Sequence, residues 1–200
     1  TEHLDSRQGY FLLIEASQVD WAGHGNDIAS AMAEMDDLAK TLKYLETYVK
    51  THPDTLVVLT ADHSTGGLTI GAKGKYQWHP ELLHKLRASP ETIAKRLVDN
   101  GISKDKAQKL FNFELSDEEV ALLLEKEQEG QKKLAEYQAL SKAEQENKWQ
   151  PSLYGFIHKG VTQIIDSRTT TGWTTGGHTG IDVQVFAMGA NKTLFSGHQD

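Results

Sequence analysis

Two short apolar runs bracket a long amphipathic segment, and that order constrains the fold more than any other feature of the chain. Gly9-Tyr10-Phe11-Leu12-Leu13-Ile14 and Thr55-Leu56-Val57-Val58-Leu59-Thr60 are almost continuously apolar, the pattern of strands buried on both faces. Between them Ile28, Met35, Leu42 and Val49 recur every seven residues, with Leu38 and Leu45 between, which marks one face of a long helix. Asn26 or Asp27 can cap its start, and His52-Pro53-Asp54 ends it. Strand, helix and strand at this spacing predict a βαβ unit, and hence an α/β fold with a mostly parallel sheet flanked by helices.

The pattern changes along the chain, which divides into an α/β core, first part (residues 1–75), a helical insert (76–150) and an α/β core, last part (151–200). In the insert, Ser89-Pro90-Glu91 starts a helix with proline at its first position, and Gly101 ends it. Ser116 and Glu119 form a capping box ahead of Val120, Leu122, Leu123 and Leu124. The Glu/Lys/Gln-rich run after them predicts a solvated helix continuing to Trp149. In the last part, residues 156–167 predict a helix closing near Arg168. A Thr/Gly-rich loop over 169–180 then leads to a third strand, Val183-Gln184-Val185-Phe186-Ala187-Met188-Gly189.

Composition narrows the partners. Lys+Arg 21 against Asp+Glu 28 gives a net charge of −7, which argues against binding nucleic acid by phosphate neutralisation. No apolar run reaches the length of a membrane span, and the residues from Thr1 onward are too polar for the core of a signal peptide. Cysteine is absent, so disulfides, thiolate nucleophiles and Cys-ligated zinc are excluded, and a metal has only His, Asp and Glu to hold it.

Those residue types gather near the ends of the expected strands. Glu15 ends the first strand, Asp20 and His24 follow in the next loop, Asp62-His63 ends the second strand, and His178 lies in the Gly-rich loop before the third. Sites in parallel α/β sheets form at the carboxyl ends of strands, so these residues can converge on one edge. Imidazole with carboxylate suits zinc, and a carboxylate-rich position suits magnesium. Two divalent ions about 3.5–4 Å apart can clamp both oxygens of a phosphoryl transfer. Simpler readings stand beside these: Asn26 and Asp27 as a helix cap, Asp62-His63 as a turn, the glycines of 172–180 as a flexible loop. His3, His52, His79, His84 and His158 are read as surface or structural residues. His198, near Asp200, stays open.

Three segments together resemble the carboxyl-terminal part of a bacterial-type alkaline phosphatase. They are Glu15-x4-Asp20-x3-His24, Thr60-Ala61-Asp62-His63 and Gly177-His178-Thr179-Gly180, in the family's order. The resemblance covers residues 8–72 and 160–199 and is weak across the insert. It implies an alkaline phosphatase-like fold and hydrolysis of small-molecule phosphate monoesters, with two zinc sites and one magnesium site. Asp20, His24 and His178 would hold the first zinc, Asp62 and His63 the second, and Glu15 would be a ligand of the magnesium. Trp21 stands where several family members have Lys or His near the phosphate, so a substrate-binding position here carries a neutral indole.

The family's nucleophilic serine, a bridging Asp and a phosphate-binding Arg come from an amino-terminal half, and Ser17, Ser64 and Arg168 do not match those motifs. The resemblance therefore implies an incomplete α/β fold, a fragment inactive alone, from a periplasmic or secreted parent. An open core face predicts poor solubility or a homo-oligomer. Two alternatives remain: another hydrolase or mutase of the wider superfamily (a phosphodiesterase or sulfatase among them), or a non-catalytic binding or assembly module using the insert.

Overall fold

Local chemistry sets most of the helix boundaries in the computed structural model, which describes Leu4 and residues 8–197. Helix α1 spans Ser17–His24 and α2 spans Ile28–Thr51. Asp27 caps α2, accepting from Ser30 N at 2.9 Å and from Ser30 Oγ at 2.8 Å. A 3-10 turn over Pro80–Lys85 precedes α3 (Pro90–Asn100), where Ser89 accepts from Thr92 N and Gly101 closes the helix as expected. Then come α4 (Lys104–Phe111) and α5 (Asp117–Gln138), the latter started by the Ser116–Glu119 capping box.

Two helical expectations need correction. Helix α4 was not anticipated: it is short, capped by Ser103, and has only Ala107, Leu110 and Phe111 as an apolar signal. The solvated helix does not run to Trp149. It stops at Gln138, and α6 (Lys142–Gln145) starts anew where Glu144 Oε2 accepts from Ser141 N at 2.9 Å and from Ser141 Oγ at 2.6 Å. A second acid placed three residues after a serine is itself a start signal, and it interrupts the run. Helix α7 spans Leu153–Thr169 and ends with Thr170 in the left-handed region.

The buried core lies where α3, α4, α5 and α7 pack together. Ile93, Leu97, Phe111, Leu123, Ile157 and Ile164 are inaccessible or nearly so. Arg168 rivets α7 to the start of α5: Nε donates to Glu119 Oε1 and Nη2 to Glu119 Oε2, each at 2.6 Å, and Nη2 also reaches Glu114 O at 3.0 Å. Burial works against the Glu119 charge. The guanidinium and the Ser116 N–H outweigh it and hold the carboxyl below the ordinary glutamate range.

The strands are short: β1 (Leu56–Leu59), β2 (Ser64–Thr65), β3 (Thr69–Ile70), β4 (Thr171–Gly172), β5 (His178–Thr179) and β6 (Phe186–Gly189). Among the described residues they form three two-stranded ladders, β1–β6, β2–β5 and β3–β4, all antiparallel. The pairings nest, so chain 56–70 runs against chain 171–189. The α/β character stands, with helix predominating. The parallel βαβ pairing does not occur among the described residues. Residues 9–14 have no regular secondary structure and join no ladder, and Phe11 is 89% exposed. A strand exists only with a partner along its edge, and the ladder that β1 makes here is with β6. The third strand is likewise shorter than expected, because β1 offers it only four residues. Among the described residues no helix is long and apolar enough to cross a membrane.

Candidate metal centre

Asp20 and His24 stand one turn apart on α1, with Asp20 Oδ2 3.5 Å from His24 Nε2. Helix α1 lies directly on β2 because Gly23 has no side chain: a Cβ there would sit 3.0 Å from Thr65 Cβ. That approach lets the Thr65 hydroxyl donate to Asp20 Oδ1 at 2.6 Å. The same hydroxyl lies 3.1 Å from His63 Nδ1. The antiparallel register sets Thr65 opposite His178, and the His178 ring stacks on that of His63 with centroids 3.5 Å apart. His24 completes the group, its ring centroid 5.1 Å from that of His178.

Gly66 makes the turn that brings these segments together. Its φ of +83° suits only glycine without strain. Its N–H donates to Gly177 O at 2.9 Å, and its carbonyl accepts from Thr174 N at 3.0 Å and Thr175 N at 3.2 Å. The loop delivering His178 is thereby tied to the turn after His63.

One ligand atom each from Asp20, His63 and His178 lie within 4.8 Å of one another. A carboxylate and two imidazoles, Asp20 and His63 half-buried and His178 exposed, form a donor set suited to zinc. The surroundings orient these donors. The Thr65 hydroxyl has one proton, given to Asp20, so its contact with His63 is satisfied when His63 carries its proton on Nδ1. Nε2 then bears the lone pair and faces Asp62 Oδ2 at 3.3 Å. Two facing lone-pair donors are what a cation would bridge. His24 Nδ1 is paired with Gly176 O at 2.7 Å, which leaves Nε2 on the Asp20 side.

The expected site residues are not equally gathered. Asp20, His63 and His178 form the cluster and His24 borders it. Asp62 is 88% exposed on its side-chain and touches the cluster through His63. Glu15 is exposed ahead of α1 and lies outside the cluster of three. Trp21 is exposed on α1 beside Asp20. Beside Asp62 and His63 a cavity of about 760 Å³ opens, walled by Thr179, Ile181, Asp182 and Phe186 among others.

Sequence reasoning passed over Thr65, Gly66 and Gly176. Thr65 had a signal, standing two residues after His63 and so on the same side of an extended chain. Gly176 acts through its carbonyl, which residue identity does not reveal. Of the histidines set aside, His52 stacks on Tyr48 and His158 is half-buried, while His79 meets Glu81 at 3.3 Å in an exposed pair. His3 and His198 lie outside the described residues. Arg168 is taken up by Glu119.

A family model described as alkaline phosphatase matches residues 3–200. Alkaline phosphatase 3 of Bacillus subtilis is 38% identical over 194 residues, covering 97% of this chain and 38% of that protein. The repressible alkaline phosphatase of Saccharomyces cerevisiae is 29% identical, covering 94% of this chain and 32% of that protein. The crystal structure of a cold-active alkaline phosphatase from the psychrophile Shewanella sp. superposes with a TM-score of 0.77 at 41% identity, covering 96% of this chain and 42% of that one. The alkaline phosphatase of Thermus thermophilus, at 21% identity and a TM-score of 0.65, shares the fold. The chain thus spans 38% of the length of the first of these relatives.

Proposed function

This chain belongs to the alkaline phosphatase family, and from that premise we propose that it carries the zinc-holding part of a phosphate monoester hydrolase. The observation that carries the reading is the meeting of Asp20, His63 and His178, drawn from three separate elements, within 4.8 Å. Asp20, His24 and His178 would hold one zinc, Asp62 and His63 a second, and Glu15 a magnesium. The cluster draws Asp20 and His178 from the first of these sets and His63 from the second, so the two sets adjoin, while Glu15 stands apart from it.

When bound, the metal ions supply Lewis acidity and charge for phosphoryl transfer. The chain's own residues do the rest of the work assigned here. Thr65 and Gly176 O hold the ligand rings in place. The cavity beside Asp62 and His63 admits a small phosphate ester. Trp21, neutral and exposed beside Asp20, offers an apolar surface to the ester without adding charge.

The chain spans 38% of its B. subtilis relative; in this reading the nucleophilic serine belongs to another segment, and the chain alone is expected to be inactive. The three-part division at residues 75 and 150 is retained as part of this reading, with the insert supplying most of the buried core. The parent is placed in the periplasm or outside the cell, and the exposed apolar strand faces favour a homo-oligomer of this chain alone.

The test is turnover of a chromogenic phosphate monoester with zinc and magnesium supplied. The chain alone is expected to give none. Joined to the amino-terminal part of a relative such as alkaline phosphatase 3, it gives turnover that Asp20→Asn abolishes. Turnover in the joined protein that survives both Asp20→Asn and His178→Ala would overturn the reading.

A further inference from the structure

Asp166 lies on α7, outside the ligand cluster, and is half-buried. Trp173 Nε1 donates to Asp166 Oδ1 at 3.3 Å. The indole in turn rests on Gly66: a Cβ built there would lie 2.6 Å from Trp173 Cε3 and 2.8 Å from Gly23 O. Gly66 follows Thr65 directly and binds the loop of Gly177, Thr174 and Thr175. A continuous path of contacts therefore joins Asp166 through Trp173 to Gly66. From Gly66 it reaches the segment of His63, the segment of His178 and the α1 backbone beside Asp20.

We propose that Asp166 is a positioning residue, which holds the Trp173 indole over Gly66 and so fixes His63 and His178 relative to Asp20. The consequence for metal binding rests on the functional reading above. Asp166 itself touches neither metal nor substrate.

The environment of Asp166 gives this role a pH dependence. Burial pushes its carboxyl up to about 7, while the Trp173 N–H pulls it down. Of the charged groups facing it, Asp27 at the start of α2 raises it further and Lys73, in the turn after β3, lowers it. A hydrogen bond to an ionised carboxylate is stronger than one to the neutral acid. The hold on Trp173 therefore tightens as pH rises through neutrality.

The test uses nuclear magnetic resonance on the whole chain through a pH titration. It follows the Trp173 indole N–H, identified among four tryptophans by Trp173→Phe, and the ring protons of His63 and His178. The indole signal is expected to inflect near pH 7, and Asp166→Asn abolishes that inflection. Asp166→Ala moves the His63 and His178 ring signals and weakens zinc binding about tenfold or more. Asp166→Asn restores the ring signals, because an amide oxygen still accepts from the indole. Should Asp166→Ala fail to fold, Trp173→Phe removes the same bond from the other side. An indole signal indifferent to Asp166 would overturn the proposal. So would ring signals that stay unchanged in both Asp166→Ala and Trp173→Phe. Failure of the unsubstituted chain to bind zinc would instead count against the metal reading, and the ring signals would still decide the positioning role.

Discussion

The helical lobe of α3, α4, α5 and α7 and the ligand-bearing edge of α1, β2 and β5 are built on opposite terms. The lobe encloses side chains on all sides, and Phe111, Leu123 and Ile157 have no solvent exposure. The edge buries little. It holds its residues through hydrogen bonds across two-residue ladders, a glycine turn and one threonine hydroxyl. Stability therefore belongs to the lobe, and the proposed chemistry to the edge. The two meet through α7, whose core face packs on α3 and α5 and whose Asp166 reaches toward the edge through Trp173.

The largest effect separating the two regions is expected in the lobe. Phe111→Ala should cost about 3–5 kcal/mol in denaturant unfolding, because a fully buried ring leaves a cavity that rigid helices cannot fill. It should leave the zinc affinity of whatever fraction stays folded unchanged. At the edge the pattern reverses. Thr65→Val should weaken zinc binding about 10–100-fold by releasing Asp20 and His63, with little change in the unfolding midpoint. Isothermal titration and unfolding on the same sample would check both halves of that statement.

The junction between the regions should show in the pH dependence of stability. Asp166 has an ordinary value of 3.8 and stands at about 7 when folded, so between those values the folded chain holds more of the proton than the unfolded chain. Its contribution is full below the lower value and is lost as pH rises through the higher one. Asp166→Asn should flatten that decline. The effect is moderated by solvent, since the group is only half-buried.

The smaller effects are local. Ser89→Ala should cost about 1 kcal/mol by leaving the first turn of α3 without its cap. Phe11→Ala should cost less than about 0.5 kcal/mol, although it deletes the same ring as Phe111→Ala, because Phe11 is 89% exposed. A large loss at Phe11 would break the comparison by showing that residues 9–14 are packed in solution.

What the sequence made legible follows the same line. Features set by neighbours a few residues apart were readable: the cap at Asp27, the proline start and glycine end of α3, and the Ser116–Glu119 box. Three of the residues singled out as candidate ligands, Asp20, His63 and His178, do meet, because carboxylate and imidazole are the residue types that a cysteine-free metal site must use. Pairings set by distant residues were not readable. The antiparallel match of Thr65 with His178 depends on partners more than a hundred residues apart, and apolar runs carry no mark of strand direction. The break after Gln138 was legible only in hindsight, from the Ser141–Glu144 pair. The roles of Thr65 and Gly176 O came from contacts across elements, which neither residue announces.

The most direct test of this account is zinc stoichiometry after equilibrium dialysis, comparing the chain with His178→Ala and following unfolding of both. The account predicts bound zinc for the chain, loss of it in His178→Ala, and the same unfolding midpoint when zinc is withheld from each. Undiminished zinc in His178→Ala would contradict it, because the antiparallel segments would then not be meeting at the centre described.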